Sequence, residues 1–102
     1  MAKLVTIWWR DIPSQVTVKK GRKNGKVLLS ERFQEAIDRA AMRAGKKTTD
    51  EYLEDWRREE REVEGELQAI ADAEAAALEA RYSDDDLKQL ERQHGHAQTA
   101  DN

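Results

Sequence analysis

Two places in this 102-residue chain carry side chains able to hold a charged or aromatic partner. The first is the run Lys19-Lys20-Gly21-Arg22-Lys23-Asn24-Gly25-Lys26, five cations around a turn. Such a cluster can hold phosphate, from nucleic acid or an anionic cofactor, or it can be a lysine-rich turn that keeps a sheet edge soluble. The second is Trp8-Trp9-Arg10, two residue types enriched at protein interfaces. Neighbours on a strand point to opposite faces, so one tryptophan enters the local core and the other needs cover from a helix or a partner.

Other chemistry is poorly supplied. His94-Gly95-His96 offers two imidazoles, but a metal site needs three or four ligands, so no metal site is predicted. Asp84-Asp85-Asp86 lacks the glycine and terminal glutamate of a calcium loop and reads as a helix start. With no cysteine there is neither a thiolate ligand nor a disulfide, which fits a reducing compartment. There is no glycine-rich phosphate loop. The carboxylates fall on helical faces where nothing would raise a pKa. The expectation is a protein that is not an enzyme, carries no cofactor, and works by binding.

Charge is divided along the chain. Residues 1–47 hold 12 Lys+Arg against 4 Asp+Glu, a balance of +8, and residues 48–102 hold 6 against 17, a balance of −11. The two halves can neutralise each other by packing or in a head-to-tail assembly, or the basic half can meet an anionic partner. No apolar run reaches the roughly 20 residues of a membrane span, and the N-terminus has no signal-peptide core, so the expected location is cytoplasmic.

The elements that must position these groups follow from periodicity. Leu4 to Trp9 is β-branched, aromatic and apolar on both faces, the pattern of a central strand. Asp11-Ile12-Pro13-Ser14 breaks it. Gln15 to Lys20 alternates, with Val16 and Val18 inward. Asn24-Gly25 signals a hairpin turn, leaving Lys26 to Leu29 as a third strand. Ser30 opens a helix as its cap, with Phe33, Ile37, Ala40, Ala41 and Ala44 as the apolar stripe and Gly45 as the stop. Lys46-Lys47 connects to Thr48, which forms a capping box with Glu51 and starts a second helix. Tyr52, Trp56, Val63, Leu67 and Ile70 mark the inner side of that helix, which continues toward Ala80 with a bend or break at Gly65. Ser83 caps a short helix around Leu87 and Leu90, and the chain from His94 onward is predicted to be disordered.

The predicted class is therefore α+β: a three-stranded antiparallel sheet packed against two helices, with a long acidic helical extension. The corresponding divisions are a core at 1–60, the acidic extension at 61–93, and a tail at 94–102. Partner binding is assigned to Trp8, Trp9, Arg10, Lys19, Lys20, Arg22, Lys23 and Lys26.

Two resemblances bear on function. Strand 26–29, helix 30–44, Gly45 and the capped helix at Thr48 are similar in order to the ribbon-helix-helix DNA-binding pattern, which implies a dimeric regulator. Leu28 sits where that pattern wants a polar side chain for the major groove. More specifically, Leu4-Val5-Thr6-Ile7-Trp8-Trp9-Arg10-Asp11-Ile12-Pro13-Ser14-Gln15-Val16, the run Leu29 to Met42, and Tyr52-Leu53-Glu54-Asp55-Trp56-Arg57 resemble the short bacterial "virulence factor" domain proteins. Members of that family are often encoded beside folate- and corrinoid-dependent methyl-transfer proteins, including methylenetetrahydrofolate reductase. The resemblance implies an accessory subunit with a protein partner in one-carbon metabolism. It implies no catalytic or ligand residues.

Overall fold

A strand that is apolar on both faces must be paired on both edges and covered, and the fold is organised around that demand. The computed structural model describes residues 2–45 and 48–96, the side chain of Thr49 excepted. Strands β1 (Ala2–Trp9), β2 (Ile12–Lys20) and β3 (Lys23–Leu28) form the expected antiparallel meander. They are followed by helices α1 (Glu31–Arg43) and α2 (Thr49–Leu53), strand β4 (Trp56–Val63), and helices α3 (Leu67–Arg81) and α4 (Asp84–Arg92).

The sheet order is β3-β2-β1-β4, so β1 lies inside, paired with β2 on one edge and β4 on the other. This corrects two expectations. The sheet has four strands and not three, and the second helix is a five-residue turn where a long acidic helix was expected. The sequence Trp56-Arg57-Arg58-Glu59-Glu60-Arg61-Glu62-Val63 reads as helix because Trp56 and Val63, seven residues apart, fall in line with Tyr52, Leu67 and Ile70 at helical spacing. It becomes a strand because the free edge of β1 needs its backbone partners. Its charges then blunt the new outer edge against further pairing. On a strand, residues two apart share a face, and the ion pairs follow that spacing: Arg57–Glu59 at 3.2 Å and Arg58–Glu60 at 2.8 Å.

The register separates two faces. Leu4, Thr6, Val16, Val18, Gly25 and Val27 lie on the side covered by helices, where α3 packs on β2 and β3, α1 packs on β2, and α4 packs on α1. Lys3, Val5, Ile7, Gln15, Thr17, Lys19, Lys26, Leu28, Arg58, Glu60 and Glu62 lie on the other. One core runs from Ala2 through Phe33, Ile37, Ala71, Ala75 and Leu78 to Leu90. The sequence-based boundary at residue 60 falls inside β4, and α3 and α4 contribute to the same core as the sheet.

The β2–β3 hairpin also turns elsewhere than expected. Its two turn residues are Gly21 and Arg22, flanked by the pair Lys20–Lys23, and Gly21 takes the left-handed φ of 61°. Asn24-Gly25 lies within β3. Gly25 is small for a packing reason: a Cβ there would stand 2.8 Å from Gln68 Cα and 2.9 Å from Gln68 N. The start of α3 rests directly on the hairpin backbone. The alanines of α3 serve the same close approach, with Ala71 and Ala75 buried against the sheet.

Helix ends mostly follow the sequence. Thr48 with Glu51 and Ser83 with Asp86 both form capping boxes, and Gly45 takes φ 78° after α1. Gly65, at φ 134°, lies in the break between β4 and α3. Ser30 occupies the cap position of α1, but its hydroxyl makes no cap bond. Its Oγ and backbone N instead donate to Glu79 at 3.0 and 2.7 Å. Arg32 joins the same carboxylate at 3.2 Å, tying the start of α1 to the end of α3. The Lys46-Lys47 connection and residues 97–102 of the expected disordered tail lie outside the described residues. No helix among the described residues is long and apolar enough to cross a membrane.

Candidate functional site

The expected docking residues separate into two groups at opposite ends of the sheet. β1 pairs Lys3 with Lys19 near the hairpin and Trp9 with Ile12 at the far end. Trp9 is six residue steps along the strand from Lys3, about 20 Å. Trp8, Trp9 and Arg10 therefore stand at the opposite end of the sheet from Lys19 to Lys26.

At the far end, both tryptophans are used inside the chain. Trp8 is 8% exposed and Trp9 is 0% exposed. The alternation argument correctly put them on opposite faces, but each face has its own cover. The Trp9 indole donates from Nε1 to the Tyr52 carbonyl at 2.9 Å and stacks on the Tyr52 ring at 5.9 Å. Gly95 closes over it: a Cβ at that glycine would meet the Trp9 ring at 2.8 Å. Trp8 lies under the Arg57 guanidinium, which sits 5.1 Å from its ring. Both rings are thus covered from within the chain.

Arg10 acts as a clamp. It has a left-handed φ of 54° in the β1–β2 turn, and its guanidinium lies 4.9 Å from the Trp9 ring. It donates to the His94 carbonyl at 2.7 Å and to Asp55 Oδ2 at 3.2 Å, while its backbone N donates to the Asp55 carbonyl at 3.0 Å. Asp11 N donates to the Gly95 carbonyl at 2.8 Å. His94 and Gly95 are therefore docked chain, contrary to the expected tail. His94-Gly95-His96 contributes to no metal cluster; among the described residues no group of three or more His, Cys, Asp or Glu is placed to hold an ion.

Burial raises the pKa of Tyr52 and of Tyr82 above the ordinary tyrosine value of 10.0; for Tyr52 a hydrogen bond from Gln34 opposes the rise and Asp38 adds to it. The Glu60 carboxyl is held below its ordinary value of 4.5, first by the hydrogen bond and charge of Lys3. It lies on the solvent-facing side of the sheet. None of these groups forms a paired acid and base in a cleft.

The hairpin end is different. Lys19 and Lys26 project from the helix-free face, while Lys20 and Lys23 project from the opposite face with Arg22 at the tip. Lys20, Arg22, Lys23 and Asn24 form one wall of an open groove of about 800 Å³, and Gly65 to Gln68, at the start of α3, form the other. The cations were legible in the sequence but the second wall was not, because residues 56–64 were read as part of the second helix, which left the segment after the break at Gly65 with no place beside the hairpin. Asn24-Gly25, so close to the cations, could have signalled that another element packs there.

The arginines elsewhere are largely neutralised in place. Arg10, Arg32, Arg39, Arg57, Arg58 and Arg61 each pair with a carboxylate at 2.8–3.8 Å. None of the ion pairs among the described residues involves Lys19, Lys20, Arg22, Lys23 or Lys26. Of the first-half cations, Lys3, Arg10, Arg32 and Arg39 pair with carboxylates, whereas the hairpin cations pair with none among the described residues.

The fold and site define a small α+β protein with one cationic end and no assembled catalytic constellation among the described residues. Residues 7–90 match the family model described as Virulence factor, and the chain belongs to that family. The matched span begins within β1 and ends within α4, so it takes in β4 and α3 as well as the meander. No curated protein and no solved structure matches the chain.

The ribbon-helix-helix reading does not survive the topology. In that pattern a single ribbon strand pairs with its copy and two helices follow. Here β3 is already the edge of a four-stranded sheet, and α2 has five residues and leads straight into β4.

Proposed function

We propose that this chain is a non-catalytic accessory protein that docks on an acidic surface of a protein partner through the cationic end of its sheet. The observation behind this reading is the set of five hairpin cations without a carboxylate partner among the described residues, on a molecule whose other arginines are mostly paired. Free cations held on a two-residue turn, backed by a helix, form a rigid positive projection that speeds encounter with an anionic surface and sets its orientation. Trp8, Trp9 and Arg10 keep the far end of the sheet rigid and take no part in docking. The family resemblance adds a methyl-transfer enzyme of folate or corrinoid metabolism as the partner class.

The test is affinity capture from extracts of the organism that encodes the chain, with and without nuclease, comparing the natural protein with a Lys20→Gln, Arg22→Gln, Lys23→Gln variant. The reading expects defined proteins retained after nuclease and lost both in the variant and at high salt. Capture of the same proteins by the variant would discard it, and capture that depends on nucleic acid would replace it with a nucleic-acid-binding role.

A further inference from the structure

Resting on the docking role just proposed, the geometry points to a specific occupant for the groove between the hairpin and α3: a peptide segment of the partner that sets an acidic side chain beside an apolar one. Three features of the groove converge on this chemistry.

The first is its charge. Lys20, Arg22 and Lys23 stand on one wall with no ion pair among the described residues. The start of α3 does not supply the attraction, because the Glu66 carboxylate already accepts from Gln68 N at 2.9 Å and Ala69 N at 3.0 Å. An arriving anion is therefore held by side chains and not by the helix end.

The second is the groove's largely apolar lining. Leu67 is half-buried at its base, Gly65 contributes bare backbone, and the stems of the two lysines add methylene surface below their charges. A phosphate chain satisfies the cations and leaves this surface wet. An acidic residue next to a leucine, isoleucine or phenylalanine satisfies both.

The third is rigidity and size. The backbone of β3 at Gly25 touches the backbone of α3 at Leu67 and Gln68, so the two walls are fixed relative to each other. A volume of about 800 Å³ is the size of a ligand site and has room for a short peptide segment. A preformed site of this kind avoids ordering costs on binding.

The test is selection of random eight-residue peptides displayed against the full chain, with the Lys20→Gln, Arg22→Gln, Lys23→Gln variant as counter-target. Selected peptides are then titrated by fluorescence anisotropy, with a single-stranded oligonucleotide of equal charge as comparator. The expected result is enrichment of Asp or Glu beside Leu, Ile or Phe. Affinity should fall roughly ten-fold in the variant, since each exposed cation contributes a factor of about two to five. It should also fall several-fold in Leu67→Ser, checked by circular dichroism to be folded. No enrichment over the variant, enrichment of acidic residues without an apolar neighbour, or tighter binding of the oligonucleotide would overturn the assignment. The two proposals fail separately. A partner captured through the hairpin cations but not competed by selected peptide overturns the groove alone. A partner captured equally by the variant overturns both.

Discussion

Replacing Gly25 with alanine tests the contact on which the groove depends. The added methyl would stand 2.8 Å from Gln68 Cα, 2.9 Å from Gln68 N and 3.0 Å from the Leu67 carbonyl carbon. All three are backbone atoms, so no flexible side chain can swing away, and the first turn of α3 must move off the hairpin. Gly25 has no left-handed φ, so alanine incurs no backbone penalty there. Considered as a strand residue alone, the change would stabilise by roughly 0.5–1 kcal/mol through reduced backbone entropy. Overpacking against fixed backbone costs about 1–3 kcal/mol. The clash wins, with a net loss on the order of 1–2 kcal/mol. For a chain near 100 residues, each kcal/mol shifts Tm by about 4–8 °C, so a fall of roughly 5–15 °C is expected in thermal unfolding followed by circular dichroism. A Gly25→Ala protein as stable as the natural one, or more stable, would refute the close seating of α3 on β3.

Glu79→Ala should destabilise by about 1–2 kcal/mol in urea unfolding, since it removes the acceptor shared by Ser30 N, Ser30 Oγ and Arg32 on a partly exposed surface; Glu79→Gln should cost less. Trp9→Phe should cost about 1–3 kcal/mol in the same assay, through the lost bond to the Tyr52 carbonyl and the space left in a fully buried site. Tyr52 and Tyr82 are held above 10.0 in the folded state, so their contribution is present below the unfolded value and is lost as pH rises through the folded one. Absorbance at the tyrosinate band should therefore rise later in folded than in unfolded protein, and stability should decline from about pH 10 upward; simultaneous titration in both states would contradict the buried placement of the rings.

The meander, α1 and both capping boxes are legible in the sequence because each rests on local rules: alternation in 15–20, a 3.6-residue stripe from Phe33 to Ala41, and hydroxyl–carboxylate spacing at Thr48 and Ser83. What escaped was set by distant partners. β4 has no alternation of apolar and polar residues, because both its faces lie at the margin of the sheet; only the need of β1 for a second edge partner makes it a strand. With that segment read as helix, Leu67 and Gly65 could not be placed beside Lys20 and Lys23, so half of the groove was invisible. For Trp8-Trp9 the sequence left open whether the cover comes from the chain itself or from a partner. The residue types are those of an interface, yet α2 and the Gly95 turn supply cover that no local pattern announces. Likewise Asn24-Gly25 carries a turn signal, but its glycine is required by α3, 43 residues further along at Gln68.

The central claim is that the protein meets its partner at the cationic end of the sheet. The most direct measurement is site-specific photo-crosslinking in extracts of the encoding organism. A photoreactive residue is placed at Asn24, on the cationic hairpin, or at Leu53, an exposed apolar position on α2 in the same half of the molecule as Trp9. The account predicts a discrete protein adduct from position 24, abolished when Lys20, Arg22 and Lys23 are neutralised, and none from position 53. An adduct from position 53 alone, or one from position 24 that survives neutralisation, would contradict it.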